Sequence, residues 1–208
     1  MEIKRVPISI YAEATPNPEV MKFVANKMLI KQDSVEYHNI EEAAPSPLAT
    51  ELFKQPYVKG VFISGNFIAV SKYNVAEWDE VGQELRLLIA EWLHKGKKVM
   101  IDGEAVVQTM KDAADDAAPA ASEAPTDSAE LGEIEQRIIE ILDEYIRPAV
   151  AQDGGNIAFV SYENKIVTVQ LQGACAGCPS SQMTLNQGIK AILQRMLPTL
   201  VDDVVPTA

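Results

Sequence analysis

Cys175 and Cys178 are the only thiols in 208 residues, and both stand in the stretch GACAGCP at 173–179. Thiolates are nucleophiles, redox couples and soft metal ligands. A C-x-x-C pair can therefore exchange disulfides, supply half of a tetrahedral zinc site, or supply half of an iron–sulfur site. The flanking residues predict an exposed, reactive loop. Gly173 and Gly177 leave the backbone free to curl and let a bulky ligand come close. Pro179 suits the first position of a helix, where its missing N–H costs nothing. Cys178 then lies near a helix N-cap, where free N–H groups and the positive helix end favour thiolate over thiol. A structural disulfide is disfavoured, because cysteines three apart close too short a loop to stabilise much and a reducing compartment works against it. Two small buried hydrophobes are the chemically empty alternative.

Three chemical readings remain open. A dithiol oxidoreductase of the thioredoxin type places C-x-x-C at a helix start. Here the motif follows a hairpin rather than the first strand of a β-α-β unit, and Ala174 stands where an aromatic residue is usual. A closed zinc site needs four protein ligands, and the only histidines, His38 and His94, are remote in sequence and lack ligand spacing. Iron–sulfur clusters are normally held by four thiolates. Two chains meeting loop to loop would supply four, most simply in a symmetric dimer. Such a site would lie at a subunit edge near solvent, better suited to transfer than to permanent redox work.

The elements that must position this loop can be read around it. Residues 111–128, KDAADDAAPAASEAPTDS, contain no large apolar side chain and two helix-breaking prolines, Pro119 and Pro125. The stretch reads as a tether, able to span roughly 20–25 Å as an open coil. The chain thus divides into a first domain over 1–104, a flexible acidic Ala/Pro linker over 105–128 and a second domain over 129–208. In the first, residues 8–13 and 21–30 read as strands. Residues 46–55 read as a short helix with Ser46 as N-cap and Pro47 at its first position. A hairpin is expected across Gly65-Asn66. Asn74 and Glu77 could form a capping box for a helix whose stripe is Trp78, Val81, Leu85, Leu88, Ile89, Trp92 and Leu93.

In the second domain, Leu131, Ile134, Ile138, Ile141, Leu142 and Tyr145 line one face of a helix that Pro148 and Gly154-Gly155 should stop. Two strands follow, with a hairpin across Glu163-Asn164. In the second strand Val167, Val169 and Leu171 face one way. A helix from Pro179 carries Leu185, Ile189, Ile192, Leu193 and Met196, and the chain ends in a short strand. The order helix-strand-strand-helix-strand predicts a small antiparallel sheet covered on one face by two helices. The fold class is α+β, two small α/β-sandwich domains joined by the linker.

Composition excludes several partners. Eighteen basic against thirty acidic residues leave a net charge of −12. That argues against nucleic acid, which requires clustered cations, and against anionic membrane surfaces. No apolar run approaches the roughly 20 residues of a membrane span. The first residues lack a secretory h-region and an Arg/Ser-rich presequence, so the expectation is a cytoplasmic chain.

The stretches RPAVAQDGGNIAFV (147–160) and VTVQLQGACAGCPSSQMTLNQGI (167–189) resemble the C-terminal domain of the NifU-like (Nfu) iron–sulfur proteins. The front stretches ATPNPEVMKFVAN, SPLATELF and VKGVFISGNFIAVSK resemble the N-terminal domain of Nfu-type scaffolds. The resemblance implies a carrier, not an enzyme, that binds a [4Fe–4S] cluster between two protomers, with [2Fe–2S] an open alternative. The ligand pair would be Cys175 and Cys178. The implied partners are apo iron–sulfur client proteins, an upstream cluster-assembly donor, and a second copy of the chain when the cluster is bound. The front domain is expected to recognise clients or donors. Asp153, Gly154 and Gly155 should close the first helix, the glycines at positive φ. Ser180, Ser181 and Thr184 could donate to cluster sulfurs or simply cap the helix, and Met183 is expected to pack.

Overall fold

A computed structural model describes residues 7–31, 34–101, 128–176 and 179–207, without the side chains of 128–131, 179–182 and 184. The expected tether over 105–128 lies outside these residues, apart from Ser128.

The first domain is a five-stranded antiparallel sheet of order β1-β2-β5-β4-β3, built from β1 (Ile10–Ala14), β2 (Val20–Ala25), β3 (Val35–Tyr37), β4 (Val58–Ser64) and β5 (Phe67–Lys72). β2 stops five residues before the expected end of its strand. Beyond it, the Leu29 and Ile30 N–H groups both donate to the Gly65 carbonyl, folding the chain over the β4–β5 turn. Gly65 takes a φ of 50° there, as the two-residue hairpin requires. Helix α1 (Pro47–Leu52) starts as expected: Ser46 Oγ accepts from Ala49 N at 3.2 Å, with Pro47 in the first turn. Helix α2 (Trp78–His94) does not use the expected capping box. Glu77 is itself the N-cap residue and makes no side-chain cap bond. The Trp78 indole instead donates to Pro18 O at 2.9 Å. The stripe packs as read, with Val81, Leu85, Ile89 and Leu93 buried and the tryptophans at its margin.

Alternation along the strands makes both faces of this sheet apolar. Phe23, Ala25, Val61, Ile63, Ile68 and Val70 point toward α1 and α2. Val20, Val24, Phe62, Phe67 and Ala69 form a separate buried cluster on the other face, which Ala174 and Ala151 of the second domain cover. A sheet with one solvated face would carry polar residues there; this one is built to be covered twice.

The second domain opens with α3 (Ser128–Ile141), a π-helical turn over Leu142–Ile146, and α4 (Arg147–Gln152). Pro148 therefore does not stop the helix. It falls in the first turn of α4, just after the wide turn, where its missing N–H is tolerated. The extra residue also re-phases the apolar face. Ile138, Leu142, Ile146 and Val150 are buried at a strict spacing of four, while Tyr145 turns out and is about half exposed.

Strands β6 (Gly155–Glu163) and β7 (Ile166–Gly173) form the hairpin, one residue later than read. Asn164 and Lys165 are the turn residues, both at positive φ (51° and 64°), and Glu163 pairs with Ile166. A bulge between Phe159 and Ser161 shifts parity, so that Ile157 and Tyr162 both face the core while Val160 is exposed. Helix α5 (Pro179–Met196) buries Ile189 and Leu193, with Leu197 rather than Met196 closing the stripe. The last strand, β8 (Asp203–Thr207), pairs with β7 in parallel. The sheet is therefore mixed, not antiparallel. A helix of 18 residues between β7 and β8 gives the chain the crossover that parallel pairing needs.

Lys165 holds the left-handed conformation without being glycine, at a cost of about 1 kcal/mol, while its carbonyl accepts from Asp202 N and Asp203 N. Lys165→Gly gives an Asn-Gly turn and leaves those bonds in place. It is expected to raise the stability of the second domain by roughly 0.5–1 kcal/mol in urea unfolding.

Candidate functional site

The cysteine loop is set by two glycine-bearing segments pressed backbone to backbone. Asp153 is the C-cap of α4, Gly154 follows at a φ of 82°, and Gly155 begins β6. Opposite them Gly173 ends β7 at a φ of 65°. Ala174 N donates to Gly154 O at 3.2 Å, and Ala176 N returns to Gly173 O at 3.1 Å, closing the turn. Of the expected glycine pair only Gly154 uses positive φ. Gly155 is required for space: a Cβ there would stand 2.6 Å from Gln172 O and 2.7 Å from Cys175 Sγ. At Gly173 a Cβ would meet Gly154 O at 2.7 Å and the Phe62 ring at 2.9 Å.

Cys175 fills the space that Gly155 leaves. It is 4% exposed and belongs to the second domain's core with Ile146, Val150, Leu171 and Ile189. The expectation of an exposed loop is thus corrected at this residue: a missing Cβ opposite lets the thiol turn inward. Cys178 and Gly177 lie outside the described residues, as do the side chains of Ser180, Ser181 and Thr184. Met183, expected to pack, is about two-thirds exposed. Beside Cys175 runs a mostly apolar cavity of about 510 Å³, walled by Ile146, Ala149, Leu185, Ile189 and Ile192, with Pro16 of the first domain at its edge.

Polar contacts that sequence reading missed join the first domain to the second, two of them on the cysteine loop itself. Asn17 Nδ2 donates to Ala174 O at 3.2 Å, and Gly173 N donates to Glu36 Oε1 at 3.2 Å. Lys22 Nζ donates to Gln152 O at 3.1 Å, pairs with Glu13 at 3.4 Å and lies 4.8 Å above the Phe67 ring. Asn156 Nδ2 donates to Ser34 Oγ at 2.6 Å, beside Gln172. The legible signal was the pair of continuous apolar runs at 61–63 and 67–70, which lack the polar alternation of a sheet with one wet face.

Burial raises the Glu36 carboxyl above its ordinary value, with Glu42 adding to the rise, while His38 and the Gly173 N–H pull it down. Among the described residues no three His, Cys, Asp or Glu side chains converge as a metal site. His38 is exposed, and His94 Nδ1 sits 2.7 Å from Ala90 O on its own helix. One sequence-level ground against the dithiol reading falls away, because β7-α5-β8 is a β-α-β unit with the motif at its strand-to-helix junction.

Fold and site together define a two-domain α+β protein with a cysteine pair at the glycine-rich junction of the smaller sheet. Residues 10–96 match the family model for the Nfu/NifU scaffold protein N-terminal domain, and residues 138–204 match the NifU-like domain. The chain belongs to the Nfu, or NifU-like, family of iron–sulfur cluster scaffold proteins. A Drosophila sechellia relative described as a mitochondrial NFU1 iron–sulfur cluster scaffold homolog is 36% identical over 190 residues, covering 91% of this chain and 62% of its own length. One from Drosophila virilis with the same description is 34% identical over 198 residues, covering 95% and 61%. The chain thus spans about three-fifths of the length of these relatives. A solved NifU-like protein from Saccharomyces cerevisiae is 25% identical over 50% of this chain and 92% of that one, with a TM-score of 0.42.

The cytoplasmic expectation is overturned by these relatives, which are named mitochondrial. It rested on the charge and hydropathy of the first residues. Import signals are short segments removed on entry, so the composition of a folded domain carries no such address.

Gly155→Ala is expected to destabilise the second domain by about 2–3 kcal/mol in urea unfolding, because its clash is partly with backbone that cannot repack. Glu36→Gln keeps an acceptor for Gly173 N and removes the half-buried charge. A raised folded-state pKa means that the carboxyl's contribution is fully present below its unfolded value and lost as pH rises through the folded one. The variant should therefore match the parent in stability at about pH 4 and exceed it at pH 7, read by thermal melts across that range.

Proposed function

We propose that this chain carries a [4Fe–4S] cluster between two protomers, each contributing Cys175 and Cys178, and hands it to apo-proteins. The observation that supports this is the donor count. The NifU-like stretch contains both cysteines of the chain, and a cluster asks for four thiolates. Two copies meeting at the loop complete the set. The cluster is cargo rather than a resident cofactor, so no substrate bond is turned over and the role is not enzymatic.

Release proceeds by ligand exchange. A client with three or four thiolates in a deeper pocket displaces the carrier's cysteines one at a time. The negative chains repel one another, so the iron atoms supply association energy that bare surfaces lack. The first domain recognises clients or the upstream donor and keeps the cysteine loop near them.

The β-α-β setting of the motif supports a second reading, dithiol–disulfide exchange of the thioredoxin kind. Anaerobic reconstitution with iron and sulfide separates the two. The carrier reading expects a brown protein with about two chains per cluster, and Cys175→Ser or Cys178→Ser chains that stay colourless. A full cluster on a monomer overturns the bridging. Disulfide reductase activity in metal-free protein that refuses iron overturns the role, and stoichiometric zinc without visible absorption replaces it with a zinc-bridged module. The absorption spectrum also tells [2Fe–2S] from [4Fe–4S].

A further inference from the structure

We propose that the outer face of the first domain's sheet is a docking surface for the cysteine loop of its own chain, and that it latches Cys175 in its inward position. The occupant is residues 173–174, already seated on that face. Gly173 lies against the Phe62 ring, so closely that a Cβ would stand 2.9 Å from it. Ala174 is 2% exposed and completes the apolar cluster of Val20, Val24, Phe62, Phe67 and Ala69. Both polar backbone groups that these two residues turn toward the sheet are used. Gly173 N donates to Glu36, and Ala174 O accepts from Asn17. These contacts recognise backbone rather than side chains, so they fix the path of the loop.

The path decides where the thiol goes. Cys175 follows Ala174 directly, and its Sγ occupies the space over Gly155 only while residues 173–176 keep their turn. Turning Cys175 outward requires that turn to move. Motion at Gly173 and Ala174 breaks the bonds to Glu36 and Asn17 and lifts the loop off Phe62. Opening the domain contact and presenting the thiol are therefore coupled. On the carrier reading, on which only this last step rests, the latch separates a closed chain from one that can meet a second copy.

Asn17 offers a test that leaves the first domain's own turn intact. Its Oδ1 accepts from Glu19 N at 3.0 Å, and only Nδ2 reaches Ala174 O. Asn17→Asp keeps the first contact and sets an oxygen against the Ala174 carbonyl. Lys22→Met is the second variant, keeping a long apolar side chain while losing the bond to Gln152 O, the Glu13 pair and the ammonium over the Phe67 ring. In full-length, metal-free, reduced protein without oxygen, alkylation of Cys175 by iodoacetamide is followed by peptide mass spectrometry. Both variants are expected to react about tenfold faster than the parent. The Gly173 amide should exchange faster with deuterium, while the Val167 and Val169 amides keep their protection.

Equal alkylation rates in folded variants overturn the latch. So does loss of Val167 and Val169 protection by the same factor, because the second domain itself would then have loosened. Iron uptake is scored separately. A variant that alkylates faster yet takes up no iron refutes the carrier reading and keeps the latch. One that alkylates at the parent rate yet loads iron refutes the latch and keeps the carrier.

Discussion

The close approach of Gly154-Gly155 to Gly173 and Cys175 is the contact on which the site depends. Two chain segments meet with only the Cys175 side chain tucked against them, and three of the four residues are glycine for reasons that differ. Gly154 and Gly173 need the left-handed backbone, and Gly155 needs the vacancy that a thiol then fills. This junction sets the start of β6 and the end of β7, hence their register from Gly155↔Gly173 outward. It also fixes where α4 must end. The π turn adds a residue before Pro148, and α4 reaches Asp153 with Val150 still facing the core.

The second organising feature is a sheet apolar on both faces. The first domain uses one face for its own core and leaves the other for Ala151 and Ala174. Burial of large side chains such as Phe62 and Phe67 is worth about 1.5–3 kcal/mol each. The polar contacts at its margin add register rather than much energy, since a net hydrogen bond is worth about 1 kcal/mol. The small alanines at the centre matter sterically. They let the Gly173 backbone come down onto the Phe62 ring, which a larger residue at 174 would hold off.

Periodicity and turn chemistry made most of the elements legible. Ser46-Pro47 marked α1, Gly65-Asn66 marked the hairpin, and the stripe through Val81, Leu85, Ile89 and Leu93 marked α2. The failures have local physical causes. Pro148 looked like a stop because periodicity alone does not register an inserted π turn. The parallel β7–β8 pairing was missed because a short terminal run of valines shows no strand direction; direction comes from the crossover. The inward turn of Cys175 depends on a vacancy at Gly155, twenty residues away in sequence. Glycine there reads as a helix stop, and only the β6–β7 pairing shows what it admits. The grip of Asn17 and Glu36 on the loop was illegible for the same reason, being a contact between domains, although the apolar runs on both sides of Gly65-Asn66 announced that something covers the second face.

On the carrier reading proposed above, an inward thiol follows from what a carrier has to do. A carrier that presented its thiolates permanently would hold cargo at full intrinsic affinity and surrender it slowly. Where the competent form is only a fraction of the population, apparent affinity falls by that fraction, while the geometry of the open form stays unchanged. On that reading, the burial of Cys175 and the first domain's hold on Gly173 and Ala174 would both act on that fraction. Anything that engages the outer sheet face in place of the loop, such as a client or donor surface, would raise it. Recognition and presentation of the thiols would then be one equilibrium, with the Phe62 face as the element that both occupants bias.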